Sequence, residues 1–170
     1  SVYVDQEKIG RIGARHLLER GYRRFGFFHI GVARFQLPRM HGFRDEVESA
    51  GGEFHDFYPP GDFSWPLEQD FDWTWVLEKL EEIGMPVGIM AINDVQAQTL
   101  LNGLEILGLH PPEQVAVLGA ENVRLLCETS YVTLSSVEAN HRGMGYEAAA
   151  LLDRLMSGEP PPKEKLLVQP

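Results

Sequence analysis

The chain has 170 residues, of which 44% are hydrophobic and 24% charged, a balance that excludes an intrinsically disordered protein. Its 15 basic and 25 acidic residues give a net charge of −10, so this chain lacks the positive surface that grips the phosphate backbone of DNA. The single cysteine, Cys127, excludes an internal disulfide and a cysteine-based zinc site, and it fits a reducing, cytoplasmic compartment.

The first half of the chain alternates helical and strand-like patterns. Met40, Phe43 and Val47 recur at helical spacing, whereas the apolar run around Phe27 is short and continuous. In chain order we predict a helix capped by Asp5 and ended by Gly21, a strand over 24–31, a helix opened by Pro38, a strand over 53–58, a loop over 59–72 and a helix ended by Gly84.

The second half continues the alternation. The run 87–92 is entirely apolar apart from one glycine, as in a parallel strand that is buried on both faces. We predict a helix through Leu107, strands over 114–120 and 131–137, a helix ended by Gly158 and a last short strand within 165–169, while 123–130 is irregular.

The connections between successive strands are too long for hairpins. They therefore require right-handed crossovers through helices, which produce a mostly parallel sheet covered on both faces. The predicted fold is a doubly wound α/β domain with a mostly parallel five-stranded sheet.

Polar residues follow four of the predicted strands. In doubly wound sheets, ligands bind beyond the carboxyl ends of the strands, so these residues form the candidate site. Their amides, carboxylates and imidazole suit a polyol, whose hydroxyls both donate and accept hydrogen bonds. The candidates are His29, Asn93, Asp94, Glu121 and Asn122, with Ser136 and Glu138 at the fifth strand.

Most of these candidates also have a structural explanation. Asp94 suits the N-cap of the following helix, whereas Asn93 has no comparable structural role and is expected to face the ligand. Glu121 and Asn122 stand in a loop, where solvated polar residues are common, and His29 could be a core histidine. The tryptophans could stack on a sugar face, but core or loop burial is their expected role: Trp65, Trp73 and Trp75.

Catalytic signatures are absent from the sequence. It contains no G-x-S-x-G, P-loop, G-x-G-x-x-G or H-E-x-x-H motif, and no carboxylate spacing selects an acid–base pair. No run approaches the roughly 18 apolar residues of a membrane helix, and no secretory signal is visible. We therefore expect neither an enzyme nor a membrane partner, and neither a cofactor nor a metal.

The order of motifs resembles the effector-binding domains of the LacI/GalR family. The segments that carry the resemblance are VDQEKIGRIGARHLLERGYRRFGFF, PRMHGFRDEV, MAINDVQAQTLLNGLEILGLHPPEQVAVLGAEN and LSSVEANHRGMGYEAAALLDRL. The similarity is closest to xylose-operon activators that carry this periplasmic-binding-protein-like domain ahead of an AraC-type DNA-binding domain. RFGFF, ALLDRL and VTLSSVEANHRGMGYEAA carry that narrower match.

The resemblance implies a two-lobe domain of flavodoxin-like strand order that binds a sugar between its lobes. Residues 1–137 would form one lobe, and 138–170 would be a crossover helix and strand of the other, mostly absent lobe. Arg39, Asn93 or Asp94, and Glu121 would contact sugar hydroxyls, although Arg39 could instead pair with Asp45 on its helix. Glu121 stands where Asp is usual and Gln6 where Asn is usual.

The same resemblance implies a regulator that binds DNA only through a domain absent from this chain and that forms a homodimer. The effector would be xylose or a related pentose. A solute-binding protein for a sugar transporter has the same fold and remains an alternative. A small α/β hydrolase or transferase would need a catalytic triad that the sequence does not indicate.

Overall fold

The computed structural model describes residues 1–31, 37–61 and 71–170. Strands and helices alternate through them, and most of the predicted loop 59–72, with Trp65, lies outside the described residues. The strands are β1 (Val2–Val4), β2 (Arg24–Phe28), β3 (Glu53–Phe57), β4 (Val87–Ala91), β5 (Val115–Ala120), β6 (Ser135–Val137) and β7 (Leu166–Val168). The helices are α1 (Gln6–Glu19), α2 (Leu37–Ser49), α3 (Thr74–Ile83), α4 (Asp94–Ile106), α5 (Arg124–Thr129) and α6 (His141–Met156).

Five strands form one parallel sheet in the order β3-β2-β4-β5-β6. This order confirms the predicted doubly wound α/β fold and its flavodoxin-like arrangement. From β2 the chain continues to β3 on one side, and from β4 it continues to β5 on the other, so the direction of strand addition reverses between β2 and β4. The carboxyl ends of these two strands therefore flank the topological switch point, where such folds bind ligands.

The sheet separates two apolar layers. On one face, Phe25 and Phe27 of β2 pack against α1 and α2, with Phe43 in the same cluster. On the other face, Phe28 and Ile89 pack against α3 and α4. All five residues of β4 are buried, as the apolar run 87–92 predicts for a central parallel strand.

Helices α1 and α2 cross with their backbones in contact. A Cβ atom at Gly10 would lie 2.0 Å from the carbonyl oxygen of Arg39, and one at Gly42 would lie 2.1 Å from that of Glu7. Glycine is required at both positions because any side chain would overlap the neighbouring backbone. The first turns of the two helices are therefore held at a fixed separation.

A separate parallel pair, β1 and β7, lies beside the first turn of α1. The N–H of Asp5 donates to the carbonyl of Val168 at 3.0 Å, and β1 runs directly into α1. Helix α6 contacts this pair, yet none of its residues is buried. Among the described residues, no helix is both long and apolar enough to span a membrane.

Two elements differ from the prediction. The stretch 123–130, expected to be irregular, contains the short helix α5. This helix has no buried residue, so its sequence shows no apolar stripe from which it could be predicted. The predicted strand 131–137 pairs with β5 only from Ser135, because the N–H of Leu134 bonds instead to the carbonyl of Cys127 at 3.0 Å.

Candidate functional site

Arg39, in the first turn of α2, is the largest fully buried side chain among the described residues and is 1% exposed. Its Nε and Nη2 donate to Oε1 of Gln6 at 3.0 and 2.7 Å, and its Nη1 donates to the carbonyl of Ile92. Burial lowers the pKa of Arg39, and the carboxylates of Glu121 and Asp94 oppose that shift. The surface pairing with Asp45 does not occur, because Asp45 pairs with Arg44.

Glu121 follows β5 and faces Arg39. Its Oε1 lies 3.7 Å from Nη1 of Arg39, while its own side chain stays 25% exposed. Burial raises the pKa of Glu121, and the charge of Arg39 offsets this only in part. Its φ of 103° lies where L-residues are rare, so the chain is held in an unfavourable conformation at the point where it turns out of the sheet.

The carboxylate of Asp94 is buried beneath this turn. Its Oδ1 accepts from Oγ of Ser136 at 2.5 Å and its Oδ2 from the N–H of Val123 at 2.6 Å. Burial raises the pKa of Asp94, against the lowering effect of these hydrogen bonds and of Arg39. The space exists because Gly119 has no side chain: a Cβ there would lie 2.1 Å from Oδ1.

The prediction that Asp94 caps α4 is wrong. Asn93 is the N-cap, and its Oδ1 accepts from the N–H of Gln96 at 2.9 Å. Asn93 remains partly exposed at the edge of the sheet, whereas Asp94 is fully buried and turned towards β5 and β6. Capping therefore uses the oxygen of the Asn93 amide.

Asn122 belongs to the same turn through Ser136. Its N–H donates to Oγ of Ser136 at 2.9 Å, and its Nδ2 donates to Oε2 of Glu138 at 3.0 Å. Oε1 of Glu138 in turn accepts from the N–H of Asn140 at 2.8 Å, which is the residue that caps α6. The end of β5 is thus connected to the start of α6.

His29 follows β2 and lies apart from the arginine cluster. Its Nε2 is 2.9 Å from Oδ1 of Asp56, and its ring centroid is 5.0 Å from that of Tyr58. Its Nδ1 is buried with no hydrogen-bond partner among the described residues. If the carboxylate of Asp56 holds the proton of Nε2, then Nδ1 carries a lone pair that can accept a hydrogen bond.

Sequence patterns did not identify three residues that build this site: Gln6, Asp56 and Gln96. The side chain of Gln96 accepts from the N–H of Ile30 and donates to its carbonyl, both at 2.8 Å, and so ties the end of β2 to α4. Only Gln96 carried a local signal, because an amide three residues after an N-cap is the pattern of a capping box.

The two described tryptophans are core residues, as expected. Trp73 stacks on Phe28 with centroids 6.2 Å apart, and Trp75 lies 6.5 Å from the same ring. Neither is placed with the polar cluster. In the described ranges, no group of three or more His, Cys, Asp and Glu side chains is arranged to hold a metal ion.

The edge of the sheet therefore presents one buried cation between two carboxylates, with the partly exposed Asn93 and Glu121 on its surface. Such a set can donate to and accept from a neutral, hydroxyl-rich ligand.

Comparison with known protein families matches residues 14–170 to the family described as "Periplasmic binding protein-like domain". The chain belongs to this family. The periplasmic-binding-protein-like domain covers nearly the whole chain, which confirms the resemblance drawn from the motifs.

Two curated relatives of this domain are named as xylose operon regulatory proteins. The one from Escherichia coli (strain K12) is 33% identical over 160 residues, which are 91% of this chain and 40% of the relative. The one from Haemophilus influenzae is 27% identical and covers 99% of this chain and 44% of its own length. The chain thus spans less than half of each relative.

A solved structure described as a xylose-binding transcription activator superposes on 99% of this chain, and on 45% of its own, with a TM-score of 0.84 and 30% identity.

Proposed function

We propose that this chain is the sugar-sensing part of a transcription regulator. The observation that carries the proposal is the cluster of Arg39, Asp94 and Glu121 at the carboxyl ends of β4 and β5, in a domain whose relatives regulate xylose operons. A neutral sugar offers hydroxyls that accept from Arg39 and donate to Glu121, so both charged groups keep hydrogen-bond partners when water is excluded.

The proposed effector is xylose or a related pentose. Support comes from the regulatory proteins of E. coli and H. influenzae, both named for the xylose operon, and from the structural relative described as xylose-binding. In this proposal Asn93 and Asn122 contribute amides, His29 contributes Nδ1 as an acceptor, and the buried Asp94 holds the turn that presents Glu121.

A second lobe completes the cleft in this proposal. Residues 138–170 belong to that lobe, as the sequence predicts, and the rest of it lies outside these 170 residues. We move β1 from the predicted lobe 1–137 to this lobe as well, because it pairs with β7. Helix α6 supports the division because it has no buried residue while Tyr146 is 75% and Met156 is 80% exposed. A two-stranded sheet with one helix cannot form a stable unit alone, so this face requires more chain to cover it.

Sugar binding between the lobes would favour the closed form. Only the difference in affinity between open and closed forms can drive the switch, and a homodimer would pass it to DNA-binding domains outside this chain. The relatives are transcription regulators, and cytoplasmic action follows from that role.

The test is calorimetric titration of the full-length protein with D-xylose and a panel of pentoses and hexoses. Saturable binding to one pentose is expected. Glu121→Gln keeps the shape of the side chain but removes the charge-assisted acceptor, and should weaken binding by about tenfold or more. Arg44→Ala, on the exposed side of the same helix as Arg39, is the control and should bind as the wild type does.

Absence of binding to every sugar in the panel would refute the sugar-sensor proposal while leaving the fold intact. Binding that Glu121→Gln leaves unchanged would instead refute the assignment of the site.

A further inference from the structure

Gln6 is the first residue of α1 and directly follows the crossover strand β1 and its cap Asp5. Its single oxygen Oε1 accepts two of the hydrogen bonds of Arg39, a residue 33 positions away in the chain. We propose that Gln6 is the positioning residue that couples Arg39, at the cleft, to β1 at the junction between the lobes. The inference rests on the proposed function for its ligand.

The first turn of α1 is attached to the crossover strands on its other side. The N–H of Asp5 donates to the carbonyl of Val168 at 3.0 Å, and Nζ of Lys8 donates to Oε1 of Gln169 at 2.7 Å. Residues 5 to 8 therefore hold the end of β7 with one set of bonds and Arg39 with another. A rotation of β1 and β7 relative to α1 and a shift of the Arg39 side chain must therefore both move the first turn of α1.

The crossing of α1 and α2 makes this connection stiff. The backbones meet at Gly10 and Gly42, so the main chain of Arg39 cannot slide along α1 to absorb a movement of its side chain. A change in the direction of the guanidinium is consequently taken up by its two kinds of partner, the amide of Gln6 and the carbonyl of Ile92, and only Gln6 stands next to β1.

The neutral amide of Gln6 matters for the cleft. It accepts from two N–H groups on one edge of the guanidinium without neutralising its charge, so the attraction between Arg39 and Glu121, 3.7 Å away, remains available to change when a ligand hydroxyl enters. A direct carboxylate partner in place of Gln6 would compete with Glu121 for the same cation.

The test measures amide hydrogen exchange at Asp5 in the full-length protein, with and without saturating D-xylose, beside calorimetric affinity. In the wild type, the sugar should slow exchange at Asp5 by about tenfold or more. In Gln6→Leu, at a D-xylose concentration that the measured affinity shows to be saturating, the slowing at Asp5 should fall below about twofold. Glu7→Leu, the exposed neighbour, should keep the wild-type response.

Gln6→Glu keeps an acceptor oxygen and should restore the slowing at Asp5, while its carboxylate competes with Glu121 for Arg39 and weakens the binding of D-xylose. Restored slowing separates the coupling from a loss of packing. Undiminished slowing in Gln6→Leu, or no slowing in a wild type that binds D-xylose, would overturn the inference.

If the wild type binds no sugar, the proposed function fails. The coupling between Arg39 and β1 is then tested by amide exchange in the unliganded protein. Gln6→Leu and Arg39→Met should then speed exchange at Asp5 by the same factor, and the double variant should add nothing. An unchanged rate at Asp5 in both single variants would overturn the inference.

Discussion

At the scale of single residues, the site is a balance between burial and charge. Asp94 is 0% exposed, and burial raises the pKa of its carboxyl group while its hydrogen-bond partners and Arg39 act in the opposite direction. The hydroxyl of Ser136 stabilises this arrangement, because it donates a hydrogen bond to Asp94 and accepts one from the N–H of Asn122 at the same time. Two groups therefore depend on one hydroxyl.

Ser136→Ala should lower the free energy of unfolding by about 1–3 kcal/mol, because it leaves a buried carboxylate oxygen and a backbone N–H without their partner. Urea denaturation measures the change. Ser135→Ala, in the exposed neighbouring position of β6, should stay within about 0.5 kcal/mol of the wild type. Equal effects of the two substitutions would contradict the role given to Ser136.

Sequence identified most of the cluster but not how its members are arranged. Asn93 and Asp94 are both good N-cap residues, and local preference cannot choose between adjacent candidates. The choice depends on Gly119, which leaves room for a carboxylate only at position 94 and lies in a different strand. The contacts of Arg39 with Gln6 and of His29 with Asp56 likewise join residues 33 and 27 positions apart, which no local period reveals.

At the scale of helices and strands, the crossing of α1 and α2 fixes the site. Arg39 and Gln6 stand on different helices, so the distance between them is set by how closely those helices approach. Contact between the backbones at Gly10 and Gly42 gives the closest approach available. The cluster therefore depends on two residues that have no side chain.

Gly42→Ala should destabilise the chain by about 2–3 kcal/mol, because the new methyl group would overlap the carbonyl of Glu7 and separate the helices. Gly145→Ala is the matched control, since a Cβ at this position of α6 meets nothing within 4 Å. It should stabilise the chain by about 0.5–1 kcal/mol through helix propensity. Thermal or urea unfolding of both variants measures the change in the free energy of unfolding. No loss of stability in Gly42→Ala would contradict the close crossing of the helices.

The elements themselves were largely predictable. Short apolar runs predict the buried strands, and apolar residues at helical spacing predict the helices. The alternation of strands and helices, and hence the parallel sheet, therefore followed from the sequence alone. Helix α5 was not predicted, because a six-residue helix with no buried residue shows no periodic pattern of apolar residues.

At the scale of the whole molecule, the chain contains one sheet with an apolar layer on each face and a smaller two-stranded sheet beside an exposed helix. The five-stranded sheet is covered on both faces, whereas α6 and the pair of β1 and β7 expose apolar side chains. Leu152 is 58% exposed, and Tyr146 and Met156 more so. A substitution on α6 should therefore have different consequences in the isolated chain and in a protein that supplies the second lobe.

Leu152→Ala should change the unfolding free energy of the isolated chain by less than about 0.5 kcal/mol, because the side chain is already in water. In the full-length protein the same substitution should cost about 2–5 kcal/mol, because a covered leucine would leave a cavity. Leu104→Ala, on the buried face of α4, should cost a similar amount in both proteins. Equal, small effects of Leu152→Ala in both would contradict the two-lobe proposal.

The stacking of Trp73 and Trp75 on Phe28 has an optical consequence. Phe28 is the last residue of β2, immediately before His29, so two indoles report on the strand end that borders the candidate site. With Trp65 replaced by Phe, the tryptophan emission of the chain, excited beyond the absorption of its tyrosines, would come only from these two rings. Its wavelength and intensity would then follow any displacement of β2, so occupancy of the candidate site could be followed without an attached dye.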